Sequence, residues 1–410
     1  MSNNSILPQS EIDILLAFSQ KAMNPQELER KKILLKKNIN WNYLIEFAHS
    51  QGVLLHFYYN LRNTDLVAQV PKSLMITMHS VLEDMMKTTK ERNSYLLNGI
   101  PEVIYLFKNN NIRAIPYKGP LLSLKIYESI ELREHADIDI LVHQNDYIRS
   151  RSILIDRGFQ IDSDLDLDWE CTLISPDGNI VVDLHRTFLP FNFGIYLDFD
   201  KLWERCVPIY ILEMAVQSLS MEDLIIVLCQ YTMKDTAHKK IKLYQVSDIA
   251  GLIRNYPINW PMLIERNNQM MPRHNALKVG LSVADRLCCI AVPKEVRDWI
   301  GTDESIQSSA TMVINEIFSD SASKGHLFFQ LIHEARCIMK FCNGWSGKLT
   351  TICLGILRLI QTITVPTDKE KALFKLPDTL YYLYYFVRPI RLSINYLIIR
   401  PLKRILEWHP

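Results

Sequence analysis

The sequence predicts an α+β protein in which a small mixed β-sheet is embedded in a predominantly helical chain. Three observations carry this. Glycine is scarce, 13 in 410 residues, which disfavours a hairpin-rich sheet protein. Apolar residues recur at helical spacing before residue 110 and again after residue 200. Between them lie short β-branched runs bounded by turn residues. At roughly 100–200 residues per domain the chain should hold two or three domains. We divide it into an N-terminal helical region (1–109), a core (110–200), a helical domain (201–345) and an aromatic and basic tail (346–410).

The elements follow in order. Ser10 is an N-cap candidate for a helix running through Phe18. Asn40-Trp41 opens another helix, and Gly52 to Leu61 a third. Residues 71–109 form a long helical pattern with Glu83, Asp84, Lys87, Lys90 and Glu91 on one face. Ile112 to Tyr117 reads as a strand, broken by Lys118-Gly119-Pro120, and 120–129 as a helix. A polar connection, 130–136, leads to a strand over Asp137–His143. A helix over 145–157 follows, with Asn145 as N-cap and Gly158 as its C′ residue. Asp162, Asp164, Asp166 and Asp168 read as a solvated acidic turn. Residues 169–175 and 179–185 are strands joined by the turn sequence Pro176-Asp177-Gly178-Asn179. From Leu197 onward helix is expected throughout, with segments near 200–206, 220–236, 240–255, 259–270, 274–290, 294–301, 305–318 and 322–342. Over 371–410 seven Lys/Arg stand against two acids, next to the aromatic run Tyr381–Phe386.

Composition excludes some functions. The net charge of +1 (46 Lys+Arg, 45 Asp+Glu) argues against a general binder of long nucleic acid. The first residues lack a basic and apolar leader, and no apolar run approaches the roughly 20 residues of a spanning helix. The eight cysteines contain no CxxC pair and read as buried thiols in a reducing compartment, so a cytoplasmic location is expected.

One constellation points to chemistry. A strand runs into the Lys118-Gly119 turn and a helix N-terminus, a natural phosphate cradle. Asp137 and Asp139 then sit at i and i+2 on a strand, which puts both carboxylates on one face. Asp183 arrives on a later strand in Val-Val-Asp-Leu-His185. Three converging carboxylates repel one another unless cations join them. Mg²⁺, or Mn²⁺, takes such oxygen ligands and shares them with phosphates, and two ions can clamp an in-line phosphoryl displacement. Lys118 and Arg133 fall where a polyphosphate needs neutralising. Taken singly, an Asp-x-Asp is usually a solvated strand end. Order and spacing together make the case.

Lys-Gly, then Arg-x-x-x-Asp-Ile-Asp-Ile-Leu-Val, then Val-Asp-Leu-His resembles the uncharacterised nucleotidyltransferase family of the DNA polymerase β-like superfamily. Asn40-Trp41 with Ala48-His49-x-x-Gly52-Val53 is similar to that family's N-terminal helical segment, and His238 to Ala250 to the helix after its core. The resemblance implies that Asp137 and Asp139 bind two Mg²⁺. It implies that Asp183 ligates one of them and accepts the proton of an attacking hydroxyl. Lys118, Gly119 and Arg133 would hold the triphosphate. Gly119-Pro120 replaces the usual Gly-Ser or Gly-Gly, which passes the serine's phosphate contact to Ser123 or to backbone N–H groups. Lys242 stands where Arg is common, and with Asp248 would shape the nucleotide or acceptor pocket.

The expected reaction is transfer of a nucleoside monophosphate from an NTP to a hydroxyl or phosphate, releasing pyrophosphate. The acceptor is expected to be a small molecule, a sugar or a peptide, as in natural-product or polysaccharide tailoring. The competing reading is an inactive nucleotide-binding or interaction module, and residues 376–410 either pack on the body as a helical pair or contact a membrane surface or a protein partner. Several residues carry two readings. His185 shares the face of Asp183 and either orients a phosphate or the acceptor, or is a hydrogen-bonded strand-end histidine. His238 either contacts substrate or caps a helix, Asp248 either faces the cleft or is a buried, satisfied Asp, and His135 sits in a mobile loop.

Overall fold

Local sequence chemistry starts the elements. Asn40 Oδ1 accepts the Tyr43 N–H at 3.2 Å, Asp198 accepts from Lys201, and Ser220 caps the helix that follows it. In the computed structural model, residues 9–18, 25–166, 169–195, 197–270, 272–301, 303–319, 327–365 and 377–394 are described. Five helices come first: α1 (Gln9–Phe18), α2 (Pro25–Leu35), α3 (Trp41–Ser50), α4 (Leu54–Arg62) and the long α5 (Lys72–Asn109). The sheet region holds β1 (Ala114–Pro116), α6 (Pro120–Tyr127), β2 (Ile138–Val142), α7 (Tyr147–Asp156), β3 (Gln160–Asp166), β4 (Glu170–Ile174) and β5 (Val181–His185). There follow α8 (Phe199–Glu204), β6 (Val207–Ile211), β7 (Met214–Ser218), α9 (Met221–Ala237), α10 (Leu243–Asn255), α11 (Trp260–Met270) and α12 (Ala276–Cys288). Then come α13 (Lys294–Gly301), α14 (Glu304–Ile317), α15 (Leu327–Phe341), α16 (Gly344–Thr364) and α17 (Tyr384–Ile394).

The five strands are ordered β1-β2-β5-β4-β3. Only β2 and β5 run parallel, joined by the crossover through α7; the other pairs are antiparallel. The sheet is therefore mixed, and the fold is α+β as expected. β2 is buried along its whole length, because both neighbours and both faces cover it. One apolar core lies between the sheet, α5 and the β6–β7 hairpin, with Phe107, Ile140, Leu173 and Val216 among its members. A second unites α1, α3 and α4 with the later helices α9, α10, α12 and α14.

Three expectations need correction. The β6–β7 hairpin interrupts the helical run expected after Leu197. Its turn residues Leu212 and Glu213 both have positive φ (47° and 66°), the geometry of a tight hairpin, yet neither is the Gly, Asn or Asp that advertises it. The acidic stretch 162–166 lies in strand β3, not in a turn; Asp168 lies outside the described residues. β3 is an edge strand paired only with β4, a position that tolerates charge. Helix α7 starts at Tyr147 with Asp146 at the cap, one residue beyond the position expected from Asn145. Gly158 does end it, at φ +88°. Of the tail, residues 377–394 are described and 395–410 lie outside. No helix among the described residues is long and apolar enough to cross a membrane.

Candidate active site

Register builds the site. In the parallel pair Asp139 stands opposite Asp183, and Leu141 opposite His185. In the antiparallel pair Thr172 stands opposite Asp183, and Glu170 opposite His185. Period two puts Asp139, Asp183, His185, Thr172 and Glu170 on one sheet face, with Asp137 two residues before Asp139. Above this face a cleft of about 360 Å³ is also lined by Lys118, Gly119, Arg133, His135, Tyr231, Lys234, Asp235, Tyr244, Gln245 and Asp248.

The Lys118-Gly119 turn lies close against this face. Gly119 has φ +66°, and a Cβ there would sit 2.8 Å from the Asp137 carbonyl oxygen. Glycine is thus required twice, for the backbone angle and for the close approach. Pro120 then opens α6 at a position where its missing N–H costs nothing. Lys118 Nζ lies 2.8 Å from Asp139 Oδ1 and 3.6 Å from the centre of the Tyr231 ring. Burial opposes the ammonium charge, but Asp139 beside it holds the Lys118 pKa well above its ordinary value.

The carboxylates are electrostatically unequal. Burial would raise Asp139, yet Lys118 and the His185 hydrogen bond (3.2 Å) hold it below the usual range. Asp137 is pushed well above that range by burial and by the charges of Asp139 and Asp183. A hydrogen bond with Asp183 also raises Asp137, and Asp183 Oδ1 accepts from Thr172 Oγ1 at 2.5 Å. One ligand atom each from Asp139, Asp183 and His185 lie within 4.8 Å of one another, a spacing that suits a metal ion. The donor set, two carboxylates and an imidazole with a third carboxyl adjoining, fits a divalent cation.

Behind this layer, Glu170 Oε2 lies 3.5 Å from His185 Nδ1, and burial raises the Glu170 pKa. Sequence reading passed over Glu170, although counting outward from the predicted 176–179 turn pairs it with His185. Lys234, Asp235 and Tyr231 come from α9 and carry no local signature.

Arg133 sits in the connection before β2. That connection is pinned to α5: Asn93 Nδ2 donates to the carbonyls of Ile130 (2.5 Å) and Arg133 (2.7 Å), and Arg92 to that of Ala136. Arg133 pairs with Asp248 at 2.6 Å and stacks on Tyr244, 4.3 Å from the ring centre. Tyr127 Oη also donates to Asp248 at 3.0 Å. Burial pushes Asp248 up to about 6 against the pull of Arg133. Asp248 is therefore both cleft-lining and satisfied, which merges its two readings.

Three residues are not brought to this cleft. Ser123 is fully buried, and its hydroxyl is bound to His135 Nε2 at 2.7 Å. Lys242 instead lines a second cavity of about 310 Å³, beside His49, Leu54, Leu55 and Met85. The two cavities share Arg133, Glu134 and Tyr244. Gly52, at φ +67°, lets Tyr244 approach so closely that a Cβ would meet the ring at 2.8 Å. Gln51 Oε1 accepts the Leu243 N–H at 2.9 Å, so the α3–α4 corner fastens the start of α10. His238 lies elsewhere, with Nε2 3.5 Å from Glu334.

Among solved structures, the antibiotic-resistance factor ANT(2'')-Ia shares 13% identity, covering 43% of this chain and 91% of its own, with a TM-score of 0.32. An antigenic nucleotidyltransferase-like protein from Paracoccidioides brasiliensis also shares 13%, covering 51% of this chain and 98% of its own, with a TM-score of 0.28. At these scores neither likeness bears on function. No curated protein matches the chain. The model of the uncharacterised nucleotidyltransferase family matches residues 37–287, a span that holds the α3–α4 corner, the whole sheet and every cleft residue named above, and the chain belongs to that family.

Proposed function

We propose that the protein transfers a nucleoside monophosphate from an NTP to a hydroxyl or phosphate of a small-molecule, sugar or peptide acceptor, with release of pyrophosphate. The observation that carries this reading is the cross-strand pairing of Asp139 with Asp183, beside Asp137 and facing the Lys118-Gly119 turn. Asp137, Asp139 and Asp183, with His185 adjoining, would hold divalent cations such as two Mg²⁺, which would neutralise the phosphates and stabilise the attacking and leaving oxygens.

The chain's own residues do the rest. Lys118 and the glycine turn bind the triphosphate, and the Lys118 ammonium is fully charged for that task. Thr172 holds one oxygen of Asp183, leaving the other to take the acceptor's proton. His185 orients Asp139 through its hydrogen bond, and Glu170 sets a carboxyl 3.5 Å from His185 Nδ1, close enough to bias the imidazole. Arg133, braced by Asp248 and Tyr244, stands between the two cavities. The nucleotide fits the cleft with the carboxylates, and the acceptor enters from the second cavity, whose apolar wall (Leu54, Leu55, Met85) and basic Lys242 suit a small amphipathic molecule. The near-zero net charge speaks against long nucleic acid as acceptor. Retention of all three carboxylates favours catalysis over an inactive binding module.

The test incubates the protein with each α-labelled NTP, Mg²⁺ or Mn²⁺ and a panel of acceptors, comparing wild type with Asp183→Asn. Label transfer that depends on Asp183 is the expected result. Transfer undiminished in the variant overturns the assignment, and calorimetry showing no NTP binding removes the binding-module reading as well.

A further inference from the structure

Helix α16 presents two unlike faces. Gly347, Thr351 and Leu354 face the body. Gly347 packs on the Arg273 carbonyl, Thr351 Oγ1 lies 3.0 Å from Cys342 Sγ, and Leu354 lies against Gly194 just beyond the catalytic strand β5. The Asn343 N–H donates to the Arg273 carbonyl at 2.7 Å, which ties the start of the helix to the body. The opposite face carries Trp345, Leu349, Ile352, Ile356 and Ile360, spaced by four, three, four and four residues, and all are between 45% and 88% exposed. The spacing makes one continuous stripe. Helix α17 packs beside α16 and, with Tyr382 in the 3-10 turn that precedes it, adds a second exposed patch through Phe386 and Ile390, each of the three 58–65% exposed. Isolated exposed aliphatics are ordinary, but a stripe of this length with an adjoining patch marks an interaction surface.

Charge says what covers it. Between Glu334 and Asp368 the chain has four Lys/Arg and no acid, and between Asp378 and Glu407 five Lys/Arg and no acid. An anionic lipid surface accounts for both segments at once, since each acid would be repelled and each cation attracted. Helix α16, 21 residues and about 30 Å long by its rise per residue, is not apolar enough to cross a bilayer, so its geometry is that of a helix lying in the interface. Trp345 at one end and Lys348 beside it match the residues that settle at headgroup level.

We propose that α16 and α17 dock the protein on an anionic membrane surface, with the exposed stripe inserted among the acyl chains and the flanking Lys and Arg residues against the headgroups. Because α16 is tied to Arg273 and packs on the segment after β5, docking would bring the sheet close to the surface. The proposal is independent of the nucleotide chemistry.

Co-sedimentation of the full chain with vesicles tests it. One set is phosphatidylcholine alone, the other contains about one third phosphatidylglycerol. Wild type should sediment with the anionic vesicles and be released at high salt. Ile352→Asp combined with Ile356→Asp should lower partitioning at least about tenfold. Tyr210→Asp, at an exposed position on β6, should bind as wild type, and circular dichroism checks that all variants fold. Wild type that stays in solution overturns the proposal, as does a stripe variant that binds undiminished. A dimer dispersed by the stripe variant, with no vesicle binding, overturns it in favour of self-association.

Discussion

The carboxylate-bearing sheet face and the C-terminal helix pair break the usual rules of folding in opposite ways. On the sheet face, Asp137, Asp139 and Asp183 crowd together with partial burial, where like charges raise each other's energy. On α16 and α17, aliphatic side chains stand in water while acids are absent from the segments around them. The first region has strong local compensation: Lys118 on Asp139, Thr172 on Asp183, His185 on Asp139. The second has little, because only a surface can cover a stripe. Such departures from local consistency concentrate at functional sites. The difference is that the crowded carboxylates ask for small cations, and the stripe for something extended and apolar.

The sharpest way to break this contrast is Asp183→Asn. It is preferable to Asp139→Asn, which would strand a buried Lys118 and cost stability as well as activity. Removing one oxygen ligand and the proton acceptor should lower nucleotidyl transfer by about 10³-fold, measured as α-label transfer per unit time. Glu170→Gln acts one layer back, through His185, and should cost about ten- to a hundredfold, with the loss appearing in kcat more than in KM. A variant whose nucleotide KM changes alone would remove Glu170 from the positioning chain.

Proton coupling follows from Asp137. Its pKa is raised in the folded protein, so below that raised value a cation must displace a proton to use the carboxylate. Mn²⁺ affinity should therefore climb about tenfold per pH unit below that raised value and level off above it. Calorimetry in buffers of different ionisation enthalpy counts the released proton. Asp137→Asn should flatten the slope, and a slope unchanged in that variant would assign the proton elsewhere.

How much of this was legible depended on how local each signal was. Asp-x-Asp on a strand, the helix break at Lys118-Gly119-Pro120 and the 176–179 turn are each written in a few consecutive residues, and all appear where expected. Ser123 was misjudged because α6 is short and almost wholly apolar, so no polar face reveals which side meets the cleft. Lys242 was assigned by its place in the chain, but the N-terminus of α10 turns it into the second cavity. The β6–β7 hairpin was invisible because Leu212 and Glu213 adopt left-handed angles without the residues that favour them. The α16 stripe was missed for a different reason. A helix apolar on most sides gives little periodic contrast, and only the packing of Gly347, Thr351 and Leu354 decides which face is left outside.

The smallest effects give the finest comparison, because stability without metal or membrane should respond in opposite ways in the two regions. Asp137 has a raised folded-state pKa, so the stability it contributes is present below its unfolded value and lost as pH rises through the folded one. Above that point it is a third negative charge on a crowded face. In that range Asp137→Asn removes the repulsion and should stabilise the metal-free protein by about 1 kcal/mol, an effect that shrinks on acidification. Ile356→Asp adds a charge to a side chain already in water and should change stability by no more than about 0.5 kcal/mol at any pH. Thermal unfolding of both variants across pH separates the cases. A destabilised Asp137→Asn would mean that its hydrogen bond to Asp183 outweighs the repulsion. A strongly destabilised Ile356→Asp would mean that the stripe is covered in the folded protein, which would end the contrast between a cleft strained by its own charges and a surface awaiting contact.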